Sequence, residues 1–196
     1  MVENARRRNP AFLLYLTLLA VVVGIPLVRW WMRERIDSNE REAALSLKQL
    51  FAAESEFHGN DRDGNGINDY WTGDISRLWG HGHLIDLDLA HADSRAINPL
   101  TPTPIPRSGY FFVAMETEGS TFPAEEYRQD TDKKSGRVHH LSKFGICAYP
   151  ADYGVTGTHT LIINEGNTVF KFDTGGKPVL RWPPDSDLPS SFEKME

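Results

Sequence analysis

Residues 33–57, RERIDSNEREAALSLKQLFAAESEF, contain neither Gly nor Pro and decide the fold. Apolar residues recur at Ala43, Leu47, Leu50 and Phe57, the spacing of one helix face, and polar residues fill most of the other positions. We therefore expect a helical stalk over residues 32–58 whose apolar stripe packs on the domain that follows. The alternative is a surface helix of that domain, joined flexibly to the preceding segment.

The segment before the stalk has the composition of a membrane span. From Asn9 to Val28 there are twenty residues without a charge, which as a helix would cover about 30 Å, the thickness of a bilayer core. We predict a transmembrane helix over residues 9–31 that continues into the stalk, and a cytoplasmic tail over residues 1–8. The chain would then be a single-pass protein of the bacterial inner membrane with the lipid bilayer as partner. Its C-terminal domain would be periplasmic or extracellular, and a cleaved signal peptide is the alternative.

A basic tail, an apolar helix that becomes an amphipathic helix, and a small β-rich head resemble the architecture of type IV pilins and pseudopilins over the first 57 residues. The resemblance implies a non-catalytic pseudopilin-like or envelope scaffold protein, with other envelope, secretion or pilus-like proteins as partners. Where those families carry a Gly-Phe processing junction followed by Thr-Leu-Ile-Glu, residues 8–15 read RNPAFLLY. The alternative is a relative that kept the architecture and lost the assembly chemistry.

An acidic loop, DRDGNGIND, follows the stalk at residues 61–69. Alternating Asp and Asn side chains on a tight Gly-containing loop can gather the oxygen ligands that Ca²⁺ needs, and the pattern resembles the calcium loops of EF-hands, dockerins and thrombospondin type 3 repeats. Thr72 stands where an EF-hand carries its bidentate Glu. We predict a structural calcium site, and the alternative is an Asx- and Gly-rich turn that ends the helix. The predicted ligands are Asp61, Asp63, Asn65, the carbonyl of Ile67, and Asp69.

The head, residues 59–182, carries strand signals rich in aromatic and β-branched residues at 109–115, 143–149, 158–163 and 168–172. A short turn at 164–167 predicts a hairpin between the last two, and 80–107 reads as an irregular covering loop. We predict an α+β fold: an N-terminal transmembrane helix continuing into a long amphipathic helix packed on a small antiparallel β-sheet, as in pilins. Residues 183–196 are predicted to be a flexible tail.

Residues 109–173 carry a second resemblance. The strand GYFF at 109–112, the turn AYPADYG at 148–154 and the strand THTLIIN at 158–164 look like an uncharacterised bacterial domain of unknown function. Members of that domain carry a Gly-Tyr-(Tyr/Phe)-Phe strand and an Ala-Tyr-Pro-Ala-Glu-Tyr-Gly turn. The resemblance implies a secreted or anchored head and transfers no activity.

Charge and motifs narrow the function classes. The chain has 21 basic and 27 acidic residues, and six Arg and two Glu lie in the first 35 positions. The remaining residues, 36–196, therefore hold 15 basic and 25 acidic residues and are acidic overall. An acidic domain of this kind is a poor nucleic-acid binder, because phosphate contacts need clustered Lys and Arg.

The sequence contains no nucleophile elbow and no phosphate-binding loop, so we predict that the protein is not an enzyme. The oligomeric state stays open. The alternative is a tethered carbohydrate- or ligand-binding module or enzyme that uses residues 81–91 or Tyr70, Trp71 and Trp79. His139 and His140 are expected to be exposed or hydrogen-bonded strand residues.

Overall fold

The computed structural model describes residues 10–97, 99, 103–119, 123–133, 136–184, 186–188 and 193–195. The chain divides into two compact units, Met1–Arg35 and Ile36–Glu196. Helix α1 (Pro10–Asn60) comes first. It is followed by β1 (Tyr70–Trp71), α2 (Arg77–Gly80), α3 (Leu87–His91), β2 (Tyr110–Ala114), β3 (Thr117–Glu118), β4 (Glu125–Glu126), β5 (His139–His140), β6 (Gly145–Pro150), β7 (Thr160–Asn164), β8 (Phe170–Phe172), β9 (Arg181–Trp182) and β10 (Glu193–Lys194).

The predicted transmembrane helix over residues 9–31 is wrong. Among the described residues, none of the helices combines the length and the apolar character that crossing a membrane requires. From residue 24 onward, α1 has five uncharged residues before Arg29, and Arg33 and Glu34 follow. This is far short of the about 20 predominantly apolar residues that a span needs. The tail predicted over residues 1–8 lies outside the described residues.

The second unit is built around the amphipathic part of α1. Ala43, Leu47, Leu50, Ala53 and Phe57 are all at most 3% exposed and share one core with residues of the sheet. They follow the 3.6-residue period of one helix face, so the periodicity over 33–57 correctly predicts both the helix and its buried side.

The sheet that receives this helix face has five antiparallel strands in the order β10-β8-β7-β6-β2. Because successive side chains of a strand point to opposite faces, Phe112 and Ala114 join the core shared with α1, whereas Val113 enters a second core. This second core contains Trp182 of β9 and Tyr127, which lies just after β4. These two strands belong to a three-stranded sheet, β4-β3-β9, so the five-stranded sheet buries side chains on both faces.

The free side of β2 is covered by the segment that follows α3. The Phe112 amide donates to the Ala92 carbonyl at 2.9 Å, and the Ser94 amide donates to the Phe112 carbonyl at 2.9 Å. Asp93 thereby forms an isolated parallel bridge with Phe112. Main-chain hydrogen bonds from this segment thus cover the β2 edge of the sheet at Phe112.

Two segments differ from their predictions. The covering loop predicted over residues 80–107 contains α3, because the Asp86 side chain accepts a hydrogen bond from the Leu89 amide at 2.8 Å and caps the helix. In the predicted flexible tail, β10 pairs with β8, and its Glu193 lies 3.3 Å from the Lys171 ammonium. The hairpin predicted at 164–167 is present between β7 and β8.

Candidate metal centre

The acidic loop begins where α1 ends. Asp61 adopts a φ of 46°, and its two carboxylate oxygens accept the amides of Asn65 at 3.0 Å and Gly66 at 2.9 Å. Gly64 and Gly66 both have positive φ, 67° and 85°, a conformation that glycine adopts without strain. The loop is therefore a series of tight turns closed over the Asp61 carboxylate.

The next two predicted ligands are also hydrogen-bonded within the loop. Asp63 Oδ2 accepts the Asn65 side-chain amide at 3.1 Å, and Asn65 Oδ1 accepts the Ile67 amide at 2.7 Å. These contacts fit the turn interpretation of the loop, and the oxygens they use are those that the calcium interpretation assigns to the ion. Calcium binding stays a prediction.

Asp69, the last predicted ligand, is buried and lies close enough to Asp63 and Asn65 of the loop to interact with both. Its side chain is 1% exposed, and Oδ2 accepts a hydrogen bond from the Thr131 hydroxyl at 2.5 Å, while Oδ1 accepts none. Burial and the neighbouring Asp63 charge raise the pKa of this carboxyl, and the Thr131 hydrogen bond and His139 oppose the shift. A cation near Oδ1 would complete its environment.

Pairing of β1 with β5 brings a distant histidine to the loop. The register places His139 opposite Trp71, and the imidazole is 0% exposed, stacked on Phe57 with ring centroids 6.2 Å apart. His139 Nε2 lies 3.1 Å from Asp63 Oδ2. His139 and His140 both lie in β5 and are buried, and His140 Nε2 lies 3.2 Å from Glu125 Oε1. The structure therefore fits the hydrogen-bonded form of the expectation, not the exposed form.

Among the described residues, the acidic, histidine and cysteine side chains that come close enough to share one ion are Asp63, Asp132 and His139. One ligand atom from each lies within 4.8 Å of the others. Of the five predicted calcium ligands, only Asp63 belongs to this cluster. Asp132 and His139 were missed because the sequence carries no signal that joins residue 63 to two positions about 70 residues away.

A cavity of about 410 Å³ opens beside the cluster and reaches Asp63 and His139. His81 also borders it and lies against the rings of Phe57 and Trp71, with centroids 5.2 and 5.0 Å away. Its Nε2 is buried and has no hydrogen-bond partner. Burial lowers the pKa of His81, which favours the neutral imidazole that metals bind. The cavity wall is completed by Asp74, Arg77, Gly80, Ile97 and Val138.

Two buried carboxylates hold that wall in place. Asp93 accepts the amides of Ile75 at 2.7 Å and Ser76 at 2.9 Å, and Asp74 accepts the Ile97 amide at 2.7 Å. The segments on either side of the cavity are therefore fixed by charge-assisted hydrogen bonds to main-chain groups.

Glu54 lies on the buried face of α1, and its environment predicts how the stability of the fold depends on pH. It is 2% exposed and accepts the Trp71 amide at 3.1 Å, and burial together with the Asp69 charge raises its pKa well above the ordinary value of 4.5. The folded chain therefore holds a proton on Glu54 at pH values where the unfolded chain has lost it. The free energy of unfolding should fall as the pH rises above about 4.5.

Glu54→Gln keeps an acceptor for the Trp71 amide and removes the charge. We expect it to raise the free energy of unfolding at pH 8 by roughly 1–3 kcal/mol, the usual cost of an imperfectly satisfied buried group, and to have little effect at pH 4. Urea unfolding across this pH range measures the difference. Glu42→Gln, at an exposed position of the same helix, is the control. Equal pH profiles for wild type and Glu54→Gln would contradict the assignment.

Comparison with known proteins gives a family. No curated protein and no solved structure matches the chain significantly. The family described as "Protein of unknown function (DUF2950)" matches residues 30–181, which is more than half of the chain and includes the loop, the cluster and the five-stranded sheet up to β8. This agrees with the resemblance of residues 109–173 to an uncharacterised domain, and the pilin resemblance stays a prediction. The chain therefore belongs to the DUF2950 family of proteins of unknown function.

Proposed function

We propose that this chain is a non-catalytic assembly protein of the cell envelope, built like a pseudopilin. The observation that carries the proposal is a set of large apolar side chains on α1 within the first unit. They are 51–64% exposed and occupy a short stretch of helix: Val22, Ile25, Leu27, Val28, Trp30 and Trp31.

Such a concentration of exposed apolar side chains is typical of an interaction surface. Fully burying one side chain of this size contributes about 1.5–3 kcal/mol, so a few of them packed between copies would be enough for stable association. Two tryptophans strengthen the argument, because aromatic anchors dominate the energetics of protein interfaces. The partner we propose is a further copy of this chain, packed helix against helix, within a secretion or pilus-like assembly.

The pilin resemblance of the first 57 residues supports this arrangement. In it, an N-terminal helix joins the subunits, and the head is displayed outside the cytoplasm. The second unit has the matching features of a head, because one face of α1 is buried in the core that it shares with an antiparallel sheet. The calcium ion predicted for the acidic loop belongs to the same proposal, in which it orders the junction between α1 and the head.

The test is the association state of the full chain. Sedimentation should give a defined oligomer for the wild type and a monomer for a Trp30→Glu, Trp31→Glu variant, because two buried charges would oppose close helix packing. Ile105→Glu and Leu141→Glu change side chains of similar exposure, 56% and 54%, in the second unit and serve as controls that should still associate. A monomeric wild type, or an oligomer that the tryptophan variant retains, would contradict the proposal.

A further inference from the structure

Three separate segments converge at the loop that ends α1. Asp63 belongs to that loop, Asp132 to the segment 123–133, and His139 to β5, and one ligand atom from each lies within 4.8 Å of the others. His139 Nε2 and Asp63 Oδ2 are 3.1 Å apart. Two ligands bound at about 2.0–2.1 Å to one tetrahedral ion stand roughly 3.3 Å from each other, so this pair already has the spacing of neighbouring metal ligands.

We propose that Asp63, Asp132 and His139 form a binding site for a transition-metal dication of the zinc class. The donor set decides the class of metal. One imidazole nitrogen and two carboxylates suit a borderline ion such as Zn²⁺, whereas Ca²⁺ takes six to eight oxygen ligands and has no use for the imidazole. The site shares Asp63 with the predicted calcium loop and takes its other two ligands from elsewhere in the chain.

A buried carboxylate oxygen beside the cluster points to a cation independently. Asp69 is 1% exposed, its Oδ1 accepts no hydrogen bond, and its hydroxyl partner Thr131 directly precedes Asp132 in the chain. Asp69 is close enough to Asp63 and His139 to interact electrostatically with both side chains. Leaving a buried carboxylate oxygen unsatisfied is costly, and a nearby cation offsets that cost.

The imidazole of His81 gives a second sign. Its buried Nε2 has no hydrogen-bond partner, and the ring borders the same cavity as Asp63 and His139. A neutral imidazole at that position can approach an ion from the cavity side. The cavity also gives the ion a path from solvent, which a metal site requires.

His139 is held in place for this role. Its ring is stacked on Phe57 and lies edge-on to Trp71, with a centroid distance of 5.2 Å to the indole. The main chain of β5 is fixed by its pairing with β1. A ligand that is already oriented loses little conformational freedom when the metal binds. The bound ion would join the end of α1 to two segments of the head.

The experiment uses the full chain after treatment with a chelator, and calorimetric titration with ZnCl₂ and, separately, with CaCl₂. We expect one zinc ion per chain. Asp132→Asn should weaken zinc binding by more than about tenfold, since even outer-sphere changes cost tenfold or more. Asp130→Asn, two residues away at an exposed position, is the matched control and should leave the affinity within about twofold, a difference of roughly 0.4 kcal/mol.

Two further variants separate the proposed ligand set from its alternatives. His139→Gln should abolish the absorption bands that Co²⁺ gains on binding as a spectroscopic substitute for zinc. Replacing the buried His139 can also destabilise the fold. The result for Asp132→Asn therefore decides the test, because Asp132 is half-exposed. Asp61→Asn belongs to the calcium set alone and should leave zinc binding unchanged. The proposal is overturned if zinc does not bind, if Asp132→Asn binds it as well as Asp130→Asn does, or if Asp61→Asn loses as much affinity as Asp132→Asn.

Discussion

Replacing Leu50 with Ala is expected to lower the free energy of unfolding by about 2–5 kcal/mol, the range for deleting a large aliphatic side chain in a core. Leu50 is 0% exposed and lies on the face of α1 that packs in one core with Phe112, Ile146 and Leu161. The truncation removes apolar contact with the sheet and leaves a cavity that neither the helix nor the strands can close without moving.

Leu45→Ala is the matched control, because Leu45 is the same residue type on the same helix and is 62% exposed. This change should shift stability by no more than about 0.5 kcal/mol. Urea unfolding followed by circular dichroism measures both variants. Equal losses at the two positions would show that α1 does not use this face to pack on the sheet.

Replacing Gly157 with Ala should lower the free energy of unfolding of the second unit. A Cβ at Gly157 would overlap the phenol oxygen of Tyr110 and come within 2.7 Å of its Cε2. Tyr110 is 0% exposed, and its hydroxyl donates to the His159 carbonyl at 2.9 Å, so the ring cannot swing aside without losing that hydrogen bond. We expect a loss of roughly 1–3 kcal/mol or more, as for other overpacked cores.

The same clash gives a double-mutant test. Tyr110→Phe removes the overlapping oxygen, so the double variant should lose less stability than the sum of the two single variants. Gly59→Ala is the control, because its Cβ would meet no atom within 4 Å and Ala is the better helix former, and it should stabilise by up to about 1 kcal/mol. Strict additivity at 110 and 157 would contradict the predicted contact.

The elements that could be predicted from the sequence are those whose residue pattern extends over several positions. The buried face of α1 follows a 3.6-residue spacing, and β6 and β7 are continuous runs of apolar residues, so both kinds of element stand out. The predicted membrane span is a different case. The apolar run over 9–28 suggested a span, but none of the helices among the described residues combines the length and the apolar character that crossing a membrane requires.

The cluster at Asp63 could not be predicted in the same way. It depends on β1 and β5, which have two residues each, and two residues are too few to show an alternating pattern. The acidic loop alone drew attention to Asp63, because Asp and Asn alternate there. Nothing in the sequence distinguishes Asp132 from Asp130, or His139 from His140. The pairing of Trp71 with His139 selects the histidine, and the fold of the segment 123–133 selects Asp132.

The bridge between Asp93 and Phe112 limits how this sheet can grow. A β-sheet with an unpaired outer strand can recruit a strand from another molecule, which is a common origin of runaway aggregation. Here the segment 92–94 already occupies the hydrogen-bonding groups of Phe112 on one border. The opposite border is β10, only two residues long and made of Glu193 and Lys194. At one edge, the chain's own segment 92–94 therefore opposes the addition of a strand from another molecule. At the other edge, the short length and the charged side chains of β10 do so.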